Sequence, residues 1–462
     1  MFKKEVYIER RNRLKSKMSG GIAFIPGQSE SPMNAPANTF HFRQNSSFLY
    51  FFGLDFPDIA GVVDLDSGES IVFGDDVTMG DIIWMGPQPS MKERCAEVGV
   101  TDSRPYKALY DYMKNAIDTG RKIHFLPQYR ADNLILMEAL TGIRAAEVNR
   151  YQSVELIKAV VALRSIKDEF EIEELKKAAE TGYNMHVTAM KMAMPGVWEQ
   201  KIAGTIEGIA VAGGGMLSFP VILSQNGQTL HNHDHSQTLT EGRLMLTDAG
   251  AETEMHYASD FTRTVPVGGK FTDRQRDIYN IVLAANNKAT SLAKPGIPYF
   301  DVHVEAAKVL AGGLKDLGIM KGDPEEAART GAYALFQPHG LGHMMGLDVH
   351  DMEDIGENYV GYDKEITRSE IFGLAGLRLG RKLQPGFVLT NEPGCYFIPE
   401  LIEKWESEKK FTDFINYNKV KEYLDFGGIR LEDDLLITDS GAELIGERIP
   451  ITVEEVEKTM NE

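Results

Sequence analysis

TDAGAETEMHYASDFTRTVPV, Thr247 to Val267, carries two aspartates at the ends of two apolar runs. RLMLTDAG before the break and FTRTVPV after it each read as a strand, and the polar stretch between them reads as a turn. A carboxylate placed in or beside an apolar strand is costly unless it is paired or bound to a cation. Asp248 and Asp260 therefore need a partner that the hairpin itself does not supply. The side-chain period of a strand can keep both carboxylates on one side.

The same pattern recurs downstream. His343 lies in PHGLGHMMGLDVHD, Glu392 in FVLTNEPGCYF and Glu432 in GGIRLEDDLLIT. Each ends or interrupts an apolar strand. Four carboxylates and one imidazole form an oxygen-rich donor set, sufficient for two divalent ions bridged by carboxylates. Such hard ligands favour Mn2+, with Co2+, Fe2+ or Zn2+ as the other candidates, over a thiolate-type zinc site. HExxH is absent, which excludes the usual zinc-protease helix.

Working outward, the 462 residues predict two or three domains. The net charge of -19 argues against nucleic acid or an anionic membrane as the main partner. Two cysteines, Cys95 and Cys395, exclude a disulfide framework and favour a reducing compartment, so a cytoplasmic location is expected. The charged N-terminus has no apolar core of a signal peptide, and no run of 18 apolar residues occurs.

A charged helix is expected over Tyr7–Met18 and strands at GIAFIP, SSFLYFFGL, IAGVVDLD and ESIVFG. A hairpin is expected around Leu65–Gly68, and helices near 107–117 and 131–140. Strands alternating with helices predict an α/β domain over residues 1–164. A long amphipathic helix over 167–194, stopped by Pro195-Gly196, opens the second domain, 165–462. AMPGVWEQKI and AKPGIPYFDVH echo each other at the ends of two long helices, a sign of a duplicated helix–turn–helix unit.

With these blocks in hand, the sequence resembles the proline-specific metallopeptidases of the pita-bread fold, the family of aminopeptidase P and prolidase, over essentially its whole length. FHFRQNSSFLYFFGL resembles their N-terminal domain. The resemblance implies an N-terminal α/β domain followed by a pita-bread (creatinase/aminopeptidase) catalytic domain, α/β (α+β) in class. It implies Asp248 as ligand of one metal, Asp260 and Glu432 as bridges, and His343 and Glu392 completing the second. The ions would make a nucleophile from water near neutral pH. Glu392 would also carry its proton to the leaving nitrogen. His350 and His231 would face the scissile carbonyl, and His339 the proline subsite. Arg430 would be a cation that supports the metal ligands from behind or faces the substrate, or else only a buried ion pair. With His231, His233 and His235 could instead form a solvated metal-chelating strand face or an ordinary polar loop, and Met344, Met345 and Cys395 have a core reading.

The family usually separates its first two aspartates by ten residues; here eleven intervene. A hairpin pairing Asp248 with Asp260 would centre on Glu254, with a three-residue loop absorbing the extra residue.

Within the family, prolidase cleaves Xaa-Pro dipeptides and aminopeptidase P releases the first residue of longer Xaa-Pro peptides. Arg378 stands where prolidase-like relatives carry an arginine for the substrate carboxylate, and the long insert between Glu392 and Glu432 is also prolidase-like. The expected function is thus a metal-dependent, proline-specific exopeptidase, a dipeptidase first and an aminopeptidase P as the alternative. A non-catalytic binding protein of this fold is disfavoured because no ligand is lost. A homodimer is expected from the resemblance.

Overall fold

The computed structural model describes residues 1–462. Its contacts divide the chain into two units, Met1–Arg164 with Met352–Tyr359, and Ser165–Asp351 with Val360–Glu462.

The first unit is built on a five-stranded mixed sheet. Its order is Asp102–Arg104, Ser70–Phe73, Ala60–Asp64, Ile22–Pro26, Ile123–His124. The three central strands are antiparallel and the two outer ones join them in parallel. Ile22, Phe24, Val62, Ile71 and Phe73 are buried in it, against Leu109, Met113 and Met137 of the helices Ala108–Asp118 and Ala131–Thr141. The expected hairpin at 65–68 is present. Asp64 Oδ1 accepts from the backbone N–H groups of Asp66 and Ser67, and Gly68 takes a left-handed φ of 81°.

One expected strand is a helix. Ser46–Phe52 is helical, with the Asn45 side chain accepting from Phe48 N–H and Gly53 at φ 63° closing the other end. All seven residues are buried, so no 3.6-residue polar face marks the helix. Its caps were the readable signal, and they outweigh the strand preference of its aromatics.

The second unit repeats one theme. Helices Glu169–Met192 and Glu199–Ala212 form one pair, and helices Asp273–Leu292 and Tyr299–Asp316 another. Each pair turns through Pro-Gly, with Gly196 at φ 84° and Gly296 at φ 82°. The N–H groups of Val197 and Ile297 donate to the carbonyls of Met194 and Lys294, so the sequence echo corresponds to two like-built joints. Both long helices begin with a capping box, Asp168 with Glu171 and Thr272 with Gln275.

The aspartate hairpin pairs Leu244–Ala249 with Phe261–Pro266, Asp248 opposite Thr262. The loop has three residues, as expected, but its centre is Met255 rather than Glu254. Thr253 N–H donates to Tyr257 O, and His256 takes φ 66°. A hairpin loop of three residues needs its last residue left-handed, and a hydrogen bond between His256 Nδ1 and Glu252 Oε2, 2.8 Å, anchors it there. Asp260 therefore lies diagonally from Asp248 instead of opposite it, and both still project to one face.

Val388–Asn391 pairs with Asp433–Ile437, and Gly394–Tyr396 with Gly428–Arg430. The register, Asn391 to Asp433 and Gly394 to Arg430, is the same on both sides of the break. Carried across it, Glu392 faces Glu432. The PHGLGH segment runs extended beside them. Glu392 N–H donates to Leu341 O, Thr390 N–H to His343 O and Met345 N–H to Val388 O. A Cβ on Gly342 would meet Thr390 O at 2.1 Å and one on Gly340 would meet Leu377 Cα at 2.5 Å. Neither glycine has positive φ. These glycines serve close approach of the two backbones.

The loop that follows is pinned by a buried ion pair, Lys167 Nζ to Asp351 Oδ2 at 2.9 Å, both side chains 1 % exposed. Lys167 N–H also donates to Gly386 O, just before the Glu392 strand. Lys167→Met keeps the volume but removes this cation from Asp351, and a loss of about 3–5 kcal/mol is expected, read from the denaturant midpoint. Lys167→Met with Asp351→Leu should recover most of it. A single-variant loss below about 1 kcal/mol would contradict the assignment.

Candidate active site

A cavity of about 640 Å³ opens in the second unit. Asp248, Asp260, His343, Glu392 and Glu432 line it, together with His231, His339, His350, Arg378 and Arg430. Ligand atoms of Asp260, His343 and Glu432 lie within 4.8 Å of one another. His343 Nε2 is 3.4 Å from Asp260 Oδ2 and 3.9 Å from Glu392 Oε1.

The donor set fits divalent cations. His343 Nδ1 is 3.1 Å from Met344 O. A carbonyl only accepts, so the proton sits on Nδ1 and the Nε2 lone pair faces the carboxylates. Asp248 Oδ1 is buried and has no hydrogen-bond partner, an orphan that a cation would satisfy. Burial, with Asp248 beside it, raises the Asp260 carboxyl well above its usual range. Burial and the charge of Asp260 do the same to Glu432. Glu392 is pushed up to about 7 by burial, with Asp260 and Asp248 adding to the rise and His343 and Arg430 opposing it. Carboxyls crowded this way hold protons when no cation is near and exchange them for one when it binds.

Arg430 lines the cavity as a buried cation whose Nη2 donates to Asp248 Oδ2 at 2.5 Å and whose Nε donates to Thr262 Oγ1 at 3.0 Å. Its Nη1 donates to the Tyr396 hydroxyl, 2.8 Å, and Tyr396 sits 2.9 Å from His339 Nε2. His339 Nδ1 lies 2.7 Å from Gly340 O and must carry the proton, so Nε2 accepts from Tyr396. Burial, then the Arg430 charge, lowers His339 to about 3, and the ring is neutral.

His350 stacks edge-on against His343, ring centres 4.2 Å apart. Arg378 Nη1 donates to His350 Nδ1 at 2.6 Å, which puts the His350 proton on Nε2. Burial first, then His343 and Arg378, holds His350 down near 2. His231 is lowered by burial and by Arg430. His233 Nδ1 is 3.1 Å from Val221 O and His235 Nδ1 is 2.9 Å from Leu223 O, both tied to the neighbouring strand as polar-loop residues. Met344, Met345 and Cys395 are buried.

Sequence reasoning missed three contributors. Thr262, two residues after Asp260 and on its face by alternation, donates to Glu432 Oε2 at 2.7 Å. Tyr396 bridges Arg430 and His339, and nothing in its sequence context marks it. Phe219, Ile222 and Leu230 add an apolar wall.

An α/β unit followed by a second α/β unit that gathers carboxylates and a histidine on one wall defines a metallopeptidase of the aminopeptidase P architecture. The comparisons agree. The model of metallopeptidase family M24 matches residues 173–439, and that of the aminopeptidase P N-terminal domain matches residues 7–124. The chain is 32% identical to the Xaa-Pro dipeptidase of Homo sapiens, covering 98% of this chain and 91% of that one. It is 28% identical to a probable Xaa-Pro aminopeptidase of Colletotrichum graminicola, covering 94% and 87%. Among solved structures it is similar to a variant of Escherichia coli aminopeptidase P in complex with substrate, with TM-score 0.81, 28% identity, and 100% and 98% of the two chains covered. The protein belongs to metallopeptidase family M24, with the fold of an N-terminal α/β domain and a pita-bread domain.

A carboxyl held above its ordinary pKa stabilises the folded state below that value, and the contribution is lost as pH rises through the folded value. For Glu392 this window runs from 4.5 to about 7, and Asp260 and Glu432 move in the same direction. His339 and His350 act oppositely: their contribution is present above 6.5 and is lost as pH falls. Subtracting the chelated from the Mn2+-loaded melting temperature cancels much of the histidine contribution. That difference should be larger at pH 8 than at pH 5.5 by several degrees. A difference independent of pH would refute the carboxyl assignment.

Proposed function

We propose that this protein hydrolyses the Xaa-Pro bond of dipeptides. Asp248, Asp260, His343, Glu392 and Glu432 hold two divalent ions, Mn2+ by preference, with Co2+, Fe2+ or Zn2+ as the other candidates. Residues 1–164 form the N-terminal domain and 165–462 the catalytic domain of a cytoplasmic homodimer. The observation that carries the reading is the convergence of all five donors on one cavity that Arg378 also lines.

When bound, the ions supply an acidified water and polarise the peptide carbonyl. Glu392 takes the proton released by that water and returns it to the proline nitrogen as the bond breaks. His350 presents a neutral Nε2–H as a donor to the carbonyl oxygen, with Arg378 fixing that tautomer. His231, which also lines the cavity, faces the same oxygen, and His339, held by Tyr396, lies by the proline ring. Arg378 pairs with the free carboxylate of a dipeptide. The similarity to aminopeptidase P structures favours a second reading, release of the first residue from longer Xaa-Pro peptides.

Dialysis against chelator should abolish hydrolysis of Gly-Pro, and Mn2+ should restore it. Comparable kcat/KM on a tripeptide beginning Xaa-Pro would sink the dipeptidase reading in favour of the aminopeptidase. No metal-dependent hydrolysis of either would sink both.

Arg378→Ala removes a charge-assisted hydrogen bond of about 1.5–3 kcal/mol. A rise in KM for the dipeptide of about 10- to 100-fold is expected, with Mn2+ stoichiometry unchanged. An unchanged KM would remove Arg378 from the carboxylate site.

A further inference from the structure

Asn286 lies in the helix Asp273–Leu292, behind the cavity wall and away from the sequence blocks that carry the chemistry. Its side chain is fully buried. Nδ2 donates to Asn391 O at 3.2 Å and to Leu431 O at 3.1 Å. These are the residues immediately before Glu392 and Glu432. Oδ1 accepts from Arg448 Nη2 at 2.9 Å, which fixes which end of the amide carries the donors. The backbone carbonyl of Asn286 in turn accepts from Asn391 Nδ2 at 2.9 Å.

This arrangement falls where the strand pairing is interrupted. Named strand pairing stops at Asn391–Asp433 and resumes at Gly394–Arg430. In the gap, Glu392 and Glu432 face each other, and like charges directly opposite push strands apart. One planar amide with two N–H groups spans both carbonyls and sets the distance between the two backbones at that point. A single buried amide whose every polar atom is used is more than a filler of the helix interface.

We propose that Asn286 is a positioning residue that fixes the separation of the Glu392 and Glu432 carboxylates. The proposal rests on the reading of those glutamates as metal ligands. Groups behind a metal's ligands typically change affinity about 10- to 100-fold when removed.

The test uses the full-length protein, metal-free and reconstituted with Co2+. Asn286→Asp replaces both donors by an acceptor facing two carbonyls. Asn286→Ser keeps one donor for two carbonyls and adds no charge, and carries the test if the first variant does not fold. In either, Co2+ affinity measured by titration calorimetry should fall by about 10- to 100-fold. The visible absorption of the Co2+ protein should change, and kcat for the dipeptide should drop while KM stays within about two-fold. Wild-type Co2+ affinity and spectrum in a folded variant would overturn the proposal, even if the melting temperature of the metal-free protein falls. Two variants that both fail to fold would assign Asn286 to folding and overturn it as well. A wild-type protein that binds no Co2+ would instead sink the metal-centre reading on which the proposal stands.

Discussion

Four carboxylates on one cavity wall share one buried cation, Arg430, and that imbalance governs the second unit. Removing each charge from water costs several kcal/mol, and placing like charges across a strand pair adds to it. The protein relieves part of this with the Arg430–Asp248 pair and with protons on the carboxyls that burial raises. Asp248 Oδ1, buried without a hydrogen-bond partner, and the His343 Nε2 lone pair that faces Asp260 are acceptors left at the centre of the cavity. A divalent cation attracts both at once, together with the ionised carboxylates around them.

Backbone geometry keeps that imbalance in place. The Asp248–Asp260 hairpin puts two carboxylates on one face by register alone. The interrupted ladder delivers Glu392 and Glu432 opposite each other. The extended segment at His343 is bonded through its own backbone to the Glu392 strand, and the Thr262–Glu432 bridge joins hairpin to ladder. Each donor thus sits on an element whose position is set by hydrogen bonds to another donor's element. Helix side chains hold the breaks from behind, as Asn286 does. Sites built on strands supported this way are held more tightly than sites on free loops.

The donors were legible because a polar residue at the end of an apolar strand is conspicuous against its neighbours. Asp248, Asp260, His343, Glu392 and Glu432 all carry that contrast. The buried helix Ser46–Phe52 was not legible by periodicity, since burial on every side erases the pattern that separates helix from strand. The hairpin centre was missed by one residue because it was read from the two aspartates facing each other, whereas Asp248 pairs with Thr262 and the left-handed position falls on His256. Thr262, Tyr396 and Asn286 were invisible for a different reason. Their importance lies in which atoms they meet across 34 to 170 residues of chain, and a single sequence does not encode those meetings locally.

The contact between Arg378 and His350 joins two tasks that the proposed chemistry would otherwise keep apart. A guanidinium always donates, so its hold on Nδ1 keeps the His350 proton on Nε2, toward the cavity. The same guanidinium is planar with five N–H groups in a fork, and a carboxylate accepts two of them side by side. Engaging a substrate carboxylate and orienting His350 are therefore compatible in one side chain. In a dipeptidase this makes recognition of the substrate's end and orientation of the donor at its scissile carbonyl parts of a single hydrogen-bonded chain. Under the proposed dipeptidase reading, a longer peptide would bring no carboxylate to that place and would leave the guanidinium with an unmatched charge, so one residue would set both the selectivity and the tautomer.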